Sequence, residues 1–202
     1  MPVRRVGTPD RIEIDLNFLF RVSIGAVTTR ALWQPPGVAI PEVRVVSPEE
    51  LFAGKLRATL DRAMPGDLFD TIRLPGYAAA DWDTLRLRRT HVALAATLPH
   101  PLFEYGQDRL DRITERAIRE QLVPMLHGDE WPTANELKEQ AWLVLKPLVT
   151  LDDVEREYID RVHAGKLSPE LLFPDDEQLA NRLRRHPALS WKIENVKRHR
   201  SK

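Results

Sequence analysis

Residues 47–62 read SPEELFAGKLRATLDR, and in this stretch the chain changes from strand-like alternation to helical periodicity. Ser47 is a preferred helix cap, Pro48 suits the first helical position, and Glu50 stands three residues after the cap. Such a combination is typical of a helix start, because the cap and the glutamate satisfy backbone N–H groups that the first turn leaves unpaired. We therefore predict a helix from about residue 48 to residue 63.

A second helix is predicted directly after the first. The breaker sequence MPG at residues 64–66 ends the first helix, and Asp67 then serves as the cap of a short helix. This second helix is expected to stop at the Pro-Gly pair of residues 75–76. The two helices are thus joined by a tight turn.

Upstream, residues 11–22 (RIEIDLNFLFRV) alternate with period two, as a half-buried strand does. The polar side chains Glu13, Asp15 and Asn17 share one face of this predicted strand. The opposite face is apolar and is formed by Ile12, Ile14, Leu16, Phe18, Phe20 and Val22.

A second strand-like run covers residues 38–46. It contains Pro41, so the strand is expected to start late or to lie at a sheet edge. The loop sequence QPPG at residues 34–37 separates it from the first run. The two runs are therefore predicted to be antiparallel neighbours.

The rest of the chain has the periodicity of helices. Predicted helix starts lie at residues 133–136 and 150–153, and Gly165 fits the position just beyond a helix end. The sequence predicts an α+β protein, with a partial core at residues 1–76 and a helical domain at residues 77–202. Apolar residues at helical spacing include Leu137, Ala141, Val144, Leu145 and Leu148.

Composition excludes several classes of protein. The chain has no Cys, which rules out disulfides, thiolate metal sites and Cys nucleophiles, and it has equal numbers of acidic and basic residues. It has no apolar run near the roughly 18 residues of a membrane span, so we expect a cytoplasmic protein without membrane contact. Both a solvated tail and a polyanion-binding element are compatible with the C-terminal basic cluster Lys197, Arg198, His199, Arg200 and Lys202.

Lys55 and two aspartates are the candidate functional residues of the helical pair. Lys55 is bordered by small residues that allow close approach of another element or a ligand, although on sequence alone a lysine whose ammonium simply reaches solvent is the better explanation. Asp67 and Asp70 lie three residues apart and can project on one side of a helix. A helix cap and a favourable first-turn acid explain these two without any function.

Several blocks resemble the AbiEii family of bacterial nucleotidyltransferase toxins. Residues 47–62 are similar to the family's E-x-x-A-x-K helix, and GDLFDTIRL (66–74) is similar to its R-D-L-x-D segment. The strand-like RIEIDLNF (11–18) precedes them, as in the family. Two later blocks, GKLSPELLF (165–173) and HPALSWKIENV (186–196), extend the resemblance over nearly all of the chain.

The resemblance implies a polymerase-β-like nucleotidyltransferase, in which acids on a sheet hold Mg²⁺ ions that clamp the triphosphate of an NTP. It implies that Lys55 contacts the nucleotide phosphates and that Asp67, together with Asp70, orients or activates groups nearby. It also implies that Asp15 is the metal-side acid, with Glu13 as the competing candidate on the same strand face. The catalytic set implied is therefore Asp15, Lys55 and Asp67.

The sequence also departs from the family pattern. The family begins with a G-S or G-G-T segment followed about ten residues later by a D-x-D pair, and neither precedes Lys55 here. The D-x-D at residues 81–83 comes after Lys55 and lacks a preceding strand. We therefore expect an N-terminally truncated or remnant toxin that is inactive as this chain, its sheet a remnant of the nucleotidyltransferase core.

Two functions remain open on the sequence. The first is a toxin of a type IV toxin–antitoxin system, active in abortive infection and phage defence, that transfers NMP from an NTP to an RNA acceptor such as tRNA. The second is a non-catalytic interaction protein that binds a cognate antitoxin or a complementing partner.

Overall fold

The computed structural model describes residues 19, 20, 22–78, 84–128 and 131–200. Over these residues a two-stranded antiparallel sheet is followed by helices, which confirms the α+β class. The elements are β1 (Thr28–Ala31), β2 (Glu42–Val45), α1 (Pro48–Arg62), α2 (Pro65–Ala78), α3 (Leu85–Ala95), α4 (Glu115–Gln121), α5 (Ala134–Val149), α6 (Asp153–His163), α7 (Glu177–Arg184) and α8 (Pro187–Arg200).

The hairpin contains a strand that the sequence did not predict. β2 begins directly after Pro41, as expected for a residue that cannot donate to the ladder. Among the described residues its partner across the loop is β1, with Thr28 opposite Val45. The sequence placed the first strand at residues 11–22. In that run, residues 11–18 and 21 lie outside the described residues, and the chain at residues 19, 20 and 22 turns and bends instead of extending.

The first helix is confirmed, and the second is corrected at both ends. Ser47 caps α1 by accepting from the Glu50 N–H, and Ala63 ends it in the left-handed conformation. α2 already begins at Pro65, so Asp67 lies inside its first turn and accepts from the Met64 N–H at 3.2 Å. α2 also continues past residues 75–76 to Ala78, because a proline in the last turn removes a single backbone hydrogen bond.

The later helix starts agree with the sequence except at α6. α5 has the predicted capping box of Thr133 and Glu136. α6 is capped by Asp152 with Glu155 instead of Thr150 with residue 153, because the Thr150 hydroxyl donates back to the preceding helix. Gly165 follows α6 with a φ of +80°, which confirms its predicted place beyond a helix end.

One hydrophobic core extends from the first helices to the last. α1 packs mainly on α3, and α2 packs on α1 and α5. α8 closes over the end of α3, where the buried Lys192 donates to the carbonyl oxygens of Leu98 and Pro99. The cluster includes residues from both sides of position 76, and the division into domains 1–76 and 77–202 stays a prediction.

No helix among the described residues combines the length and the apolar character that crossing a bilayer requires.

Candidate functional site

A cleft of about 530 Å³ opens between α1, the first turns of α2 and the chain before β1. Its wall carries charged groups of both signs as well as apolar side chains. It therefore has the size and the polar groups of a small-molecule site. The lining residues are Phe20, Val46, Glu50, Leu51, Gly54, Lys55, Arg57, Ala58, Asp61, Arg62, Asp67, Asp70 and Leu94.

Lys55 and Asp70 meet across this cleft from two different helices. The Lys55 Nζ donates to Asp70 Oδ2 at 2.6 Å, and the two side chains remain 40% and 48% exposed. An ion pair with this much solvent contact contributes only about 0–1 kcal/mol to stability. An incoming anion can therefore separate the two groups at little cost.

A buried pair of threonines holds the two helices in this register. Thr59 Oγ1 lies 2.8 Å from Thr71 Oγ1 and 3.0 Å from the carbonyl oxygen of Lys55. Both threonine side chains are inaccessible to solvent. Because Thr59 lies one helical turn after Lys55 and Thr71 directly follows Asp70, these contacts fix the separation of the two charged groups.

Asp67 is engaged by different partners. Arg62 donates to its two carboxylate oxygens at 2.8 and 2.7 Å, and the Met64 N–H donates at 3.2 Å. The hydrogen bonding of Arg62 to the Asp67 carboxylate, which accepts, is the main reason that the pKa of Arg62 is raised. Asp67 is only 10% exposed, so this carboxylate orders the start of α2 and presents Arg62 at the edge of the cleft.

Arg57 and Asp61 belong to the same cleft and were not predicted from the sequence. The Arg57 guanidinium donates to the Thr97 hydroxyl at 2.7 Å and to Asp61 at 3.2 Å, and it lies 4.9 Å from the Phe20 ring centroid. Burial lowers the pKa of Arg57, and Asp61 opposes that shift. The spacing of Arg57 and Asp61, four residues apart on a helix, was the signal that could have found them.

The remaining predicted site residues lie outside the described residues. These are Asp15, its competitor Glu13, and the D-x-D at residues 81–83. Among the residues that the structure describes, no group of three or more His, Asp or Glu side chains is arranged to hold a metal ion. The cleft carboxylates Asp67 and Asp70 each have a basic partner, so the described part of the cleft does not by itself fit a Mg²⁺ ion.

Comparison with known protein families gives a match over more than half of the chain. Residues 1–137 match the family model described as "Nucleotidyl transferase AbiEii toxin, Type IV TA system". This span includes the whole α1–α2 cleft. No curated protein and no solved structure matches the chain.

Proposed function

Because the chain belongs to the AbiEii family of nucleotidyl transferase toxins of type IV toxin–antitoxin systems, we propose that the α1–α2 cleft is a nucleotide site. In this proposal the cleft binds the triphosphate of an NTP, and NMP is transferred to an RNA acceptor such as tRNA. The observation that carries it is the 2.6 Å contact between Lys55 and Asp70 inside a cleft of sufficient volume. This contact brings together a cation that can bind phosphate and a carboxylate that can accept a hydrogen bond from a hydroxyl group.

Lys55 is the proposed phosphate ligand. An ammonium group has three N–H donors, and Asp70 occupies one of them. The side chain is 40% exposed, so its other donors are accessible to a ligand. Arg57, on the same helix, adds a second positive charge to the wall, which its neighbour Asp61 offsets in part.

Asp70 is the carboxylate best placed to interact with the acceptor. Once a phosphate draws Lys55 away, Asp70 is free to accept a hydrogen bond from an acceptor hydroxyl. The hydroxyl oxygen then bonds to the α-phosphorus, pyrophosphate leaves, and the carboxylate accepts the proton. The implied role of Asp67 is narrower, because its oxygens already hold Arg62 and the Met64 N–H.

The metal requirement of this chemistry involves residues beyond the described part. Divalent cations in such enzymes neutralise the charge that develops on the phosphates. Asp15 remains the proposed metal-side acid, with Glu13 as the alternative. The described residues do not by themselves provide a ligand set for a metal ion.

We further propose that residues 1–202 alone do not catalyse the transfer of NMP to RNA. No Gly-Ser followed by a D-x-D pair precedes Lys55 in these residues. Transfer assisted by two metal ions needs several carboxylates close together. Bulk tRNA incubated with Mg²⁺, labelled NTPs and this chain is therefore expected to acquire no label. Robust labelling would contradict this proposal, and labelling that survives Lys55→Ala would also contradict the phosphate role of Lys55.

Partner binding is the second candidate function. The family is that of toxins in toxin–antitoxin systems, so a cognate antitoxin is the expected partner. We propose that the toxin acts in the cytoplasm and that it serves in phage defence. The hairpin favours a protein contact because its loop and strand ends leave large apolar side chains exposed, above all Trp33 at 81%. The others are Leu32, Val38 and Ile40.

Nucleotide binding tests the main proposal without requiring turnover. The affinity for ATP is measured by calorimetry for the full chain, for Lys55→Ala and for Lys146→Ala, which removes an exposed lysine of α5 as the matched control. Loss of a charge-assisted hydrogen bond predicts about a tenfold weaker affinity for Lys55→Ala only. Equal affinities in all three proteins would show that Lys55 is not a phosphate ligand.

A further inference from the structure

A second groove of about 480 Å³ adjoins the α1–α2 cleft. We call it the α2–α4 groove, because it lies between the start of α2 and the segment at the end of α4. Arg62, Asp67 and Asp70 line both cavities. The other residues of the groove are Met64, Gly66, Phe69, Gln121, Leu122, Met125 and Leu126.

Apart from the three charged residues that it shares with the cleft, the α2–α4 groove is lined by apolar side chains, one glycine and one amide. Met125 is 69% exposed and Met64 is 43% exposed, so the groove presents flexible apolar side chains to solvent. Phe69 adds an aromatic ring, and Gln121 adds a group that can both donate and accept hydrogen bonds. A flat heterocycle with polar edges fits these surroundings, since its faces pack on apolar groups and its edge bonds to an amide.

The charges around the groove favour an anionic chain. Asp67 is paired with Arg62, and Asp70 is paired with Lys55, so each carboxylate of the lining is already neutralised. Two further guanidinium groups lie beside it. Arg73 sits 3.9 Å from the Phe69 ring centroid, and Arg112 donates to the Arg62 carbonyl oxygen at 3.5 Å. Both arginines are exposed, so they can meet phosphates of a strand whose base enters the groove.

We propose that the α2–α4 groove binds an unpaired nucleobase of the acceptor RNA. The assignment rests on the proposed function of the adjoining cleft, because Asp70 lies on the boundary that the two cavities share. A base held against Met125 and against the part of the Phe69 ring that Arg73 does not cover places its own ribose beside Asp70, which also lines the α1–α2 cleft. The two substrates thus approach the same carboxylate from two adjoining cavities.

The test measures the binding of two ligands separately. A fluorescein-labelled single-stranded oligoribonucleotide of mixed sequence is titrated with the full chain and followed by anisotropy, and ATP binding is measured by calorimetry. Met125→Ser changes an exposed side chain, and Phe69→Leu keeps an apolar group while removing the aromatic face. The matched control is Leu143→Ser, which alters an exposed residue of α5.

We expect Phe69→Leu and Met125→Ser to weaken oligoribonucleotide binding by about fivefold or more and to leave ATP binding unchanged. Leu143→Ser should alter neither. Unchanged oligoribonucleotide affinity in both groove variants overturns the proposal. An absence of RNA binding by the unaltered chain also overturns it, and this is the result expected if Met125 instead mediates self-association of the chain. If the groove variants lose RNA while Lys55→Ala keeps its affinity for ATP, the phosphate role of Lys55 fails and the base site stands.

Discussion

Thr59 and Thr71 place their hydroxyl oxygens 2.8 Å apart where α1 packs against α2, and neither side chain is accessible to solvent. The Thr59 hydroxyl is also 3.0 Å from the Lys55 carbonyl oxygen. This buried polar contact defines one register of the two helices. The geometry of the Lys55–Asp70 pair depends on that register.

Replacing Thr59 by valine keeps the shape of the side chain and leaves the buried Thr71 hydroxyl without its partner, whereas in Thr71→Val the Thr59 hydroxyl still donates to the Lys55 carbonyl oxygen. We therefore expect Thr59→Val to lower the free energy of unfolding by about 1–3 kcal/mol and Thr71→Val to lower it by less, as measured by urea denaturation. The double variant should cost less than the sum, because the second change removes the orphaned group. Thr150→Val, at an exposed hydroxyl, is the control. Strict additivity, or costs no larger than the control's, would contradict a direct coupling.

Asp70 competes with phosphate for Lys55. Removing the charge of Asp70 is therefore expected to strengthen ATP binding, whereas Lys55→Ala is expected to weaken it. Asp70→Asn removes the negative charge that pairs with Lys55 at 2.6 Å. We expect ATP to bind several-fold more tightly to this variant, since the ligand no longer displaces an ion pair worth about 0–1 kcal/mol. The control is Asp175→Asn, at an exposed position before α7, and calorimetry is the measurement. Weaker ATP binding in Asp70→Asn would mean that Asp70 supports the ligand and does not compete with it.

Arg88 neutralises a carboxylate that has almost no access to water. It forms two hydrogen bonds of 2.6 Å to Glu155, which is 1% exposed, and it donates to the carbonyl oxygens of Pro147 and Thr150. Removing one partner of such a pair leaves an uncompensated buried charge. Arg88→Met is therefore expected to lower the free energy of unfolding by about 3–5 kcal/mol.

The exposed pair Arg116–Glu120 provides the comparison, since Arg116→Met should cost about 1 kcal/mol or less. The double variant Arg88→Met/Glu155→Gln should recover part of the loss, because it no longer buries an unpaired carboxylate. If Arg88→Met is no more destabilising than Arg116→Met, solvent must reach Glu155 in the folded protein.

Features encoded locally could be predicted from the sequence, and features that depend on helix packing could not. Ser47 and Pro48 determine where α1 begins through contacts within a single turn, and the structure places them as predicted. The Glu50 side chain differs from the prediction, because its carboxylate accepts from the Ser23 hydroxyl and from the N–H groups of residues 24 and 25. β1 was missed because its four residues, 28–31, are all exposed and show no apolar alternation. The α6 cap was misplaced because Asp152 and Thr150 are both acceptable caps, and only the exit from α5 decides between them.

The same distinction applies to the candidate site. The sequence indicated Lys55 and the two aspartates as candidates, but their pairing depends on how α1 lies on α2. Lys55 is 15 residues from Asp70, and no periodicity within one helix predicts that contact. Arg62 similarly takes Asp67 as its partner across the turn, which leaves Asp70 as the carboxylate that faces Lys55.

His91 makes the stability of the fold depend on pH. It is fully buried on α3, and burial lowers its pKa to about 4, an effect that the Ala53 backbone offsets in part and the charge of Arg88 reinforces. In the unfolded chain the pKa of a histidine is about 6.5. Between these two values the unfolded chain binds the proton and the folded chain does not. The stabilisation is therefore complete above about pH 6.5 and is lost as the pH falls toward 4.

We expect the free energy of unfolding to fall by up to about 1.4 kcal/mol per pH unit through this window because of His91 alone. His91→Phe retains a ring in the same space and does not titrate, so its curve should be flatter than that of the unaltered chain. Burial also lowers the pKa of His163 to about 4 and lowers that of His186, so some slope will remain. Urea denaturation between pH 4 and pH 8 measures the difference, with the exposed His127→Gln as control. Parallel curves for His91→Phe and the unaltered chain would show that His91 takes up its proton without unfolding.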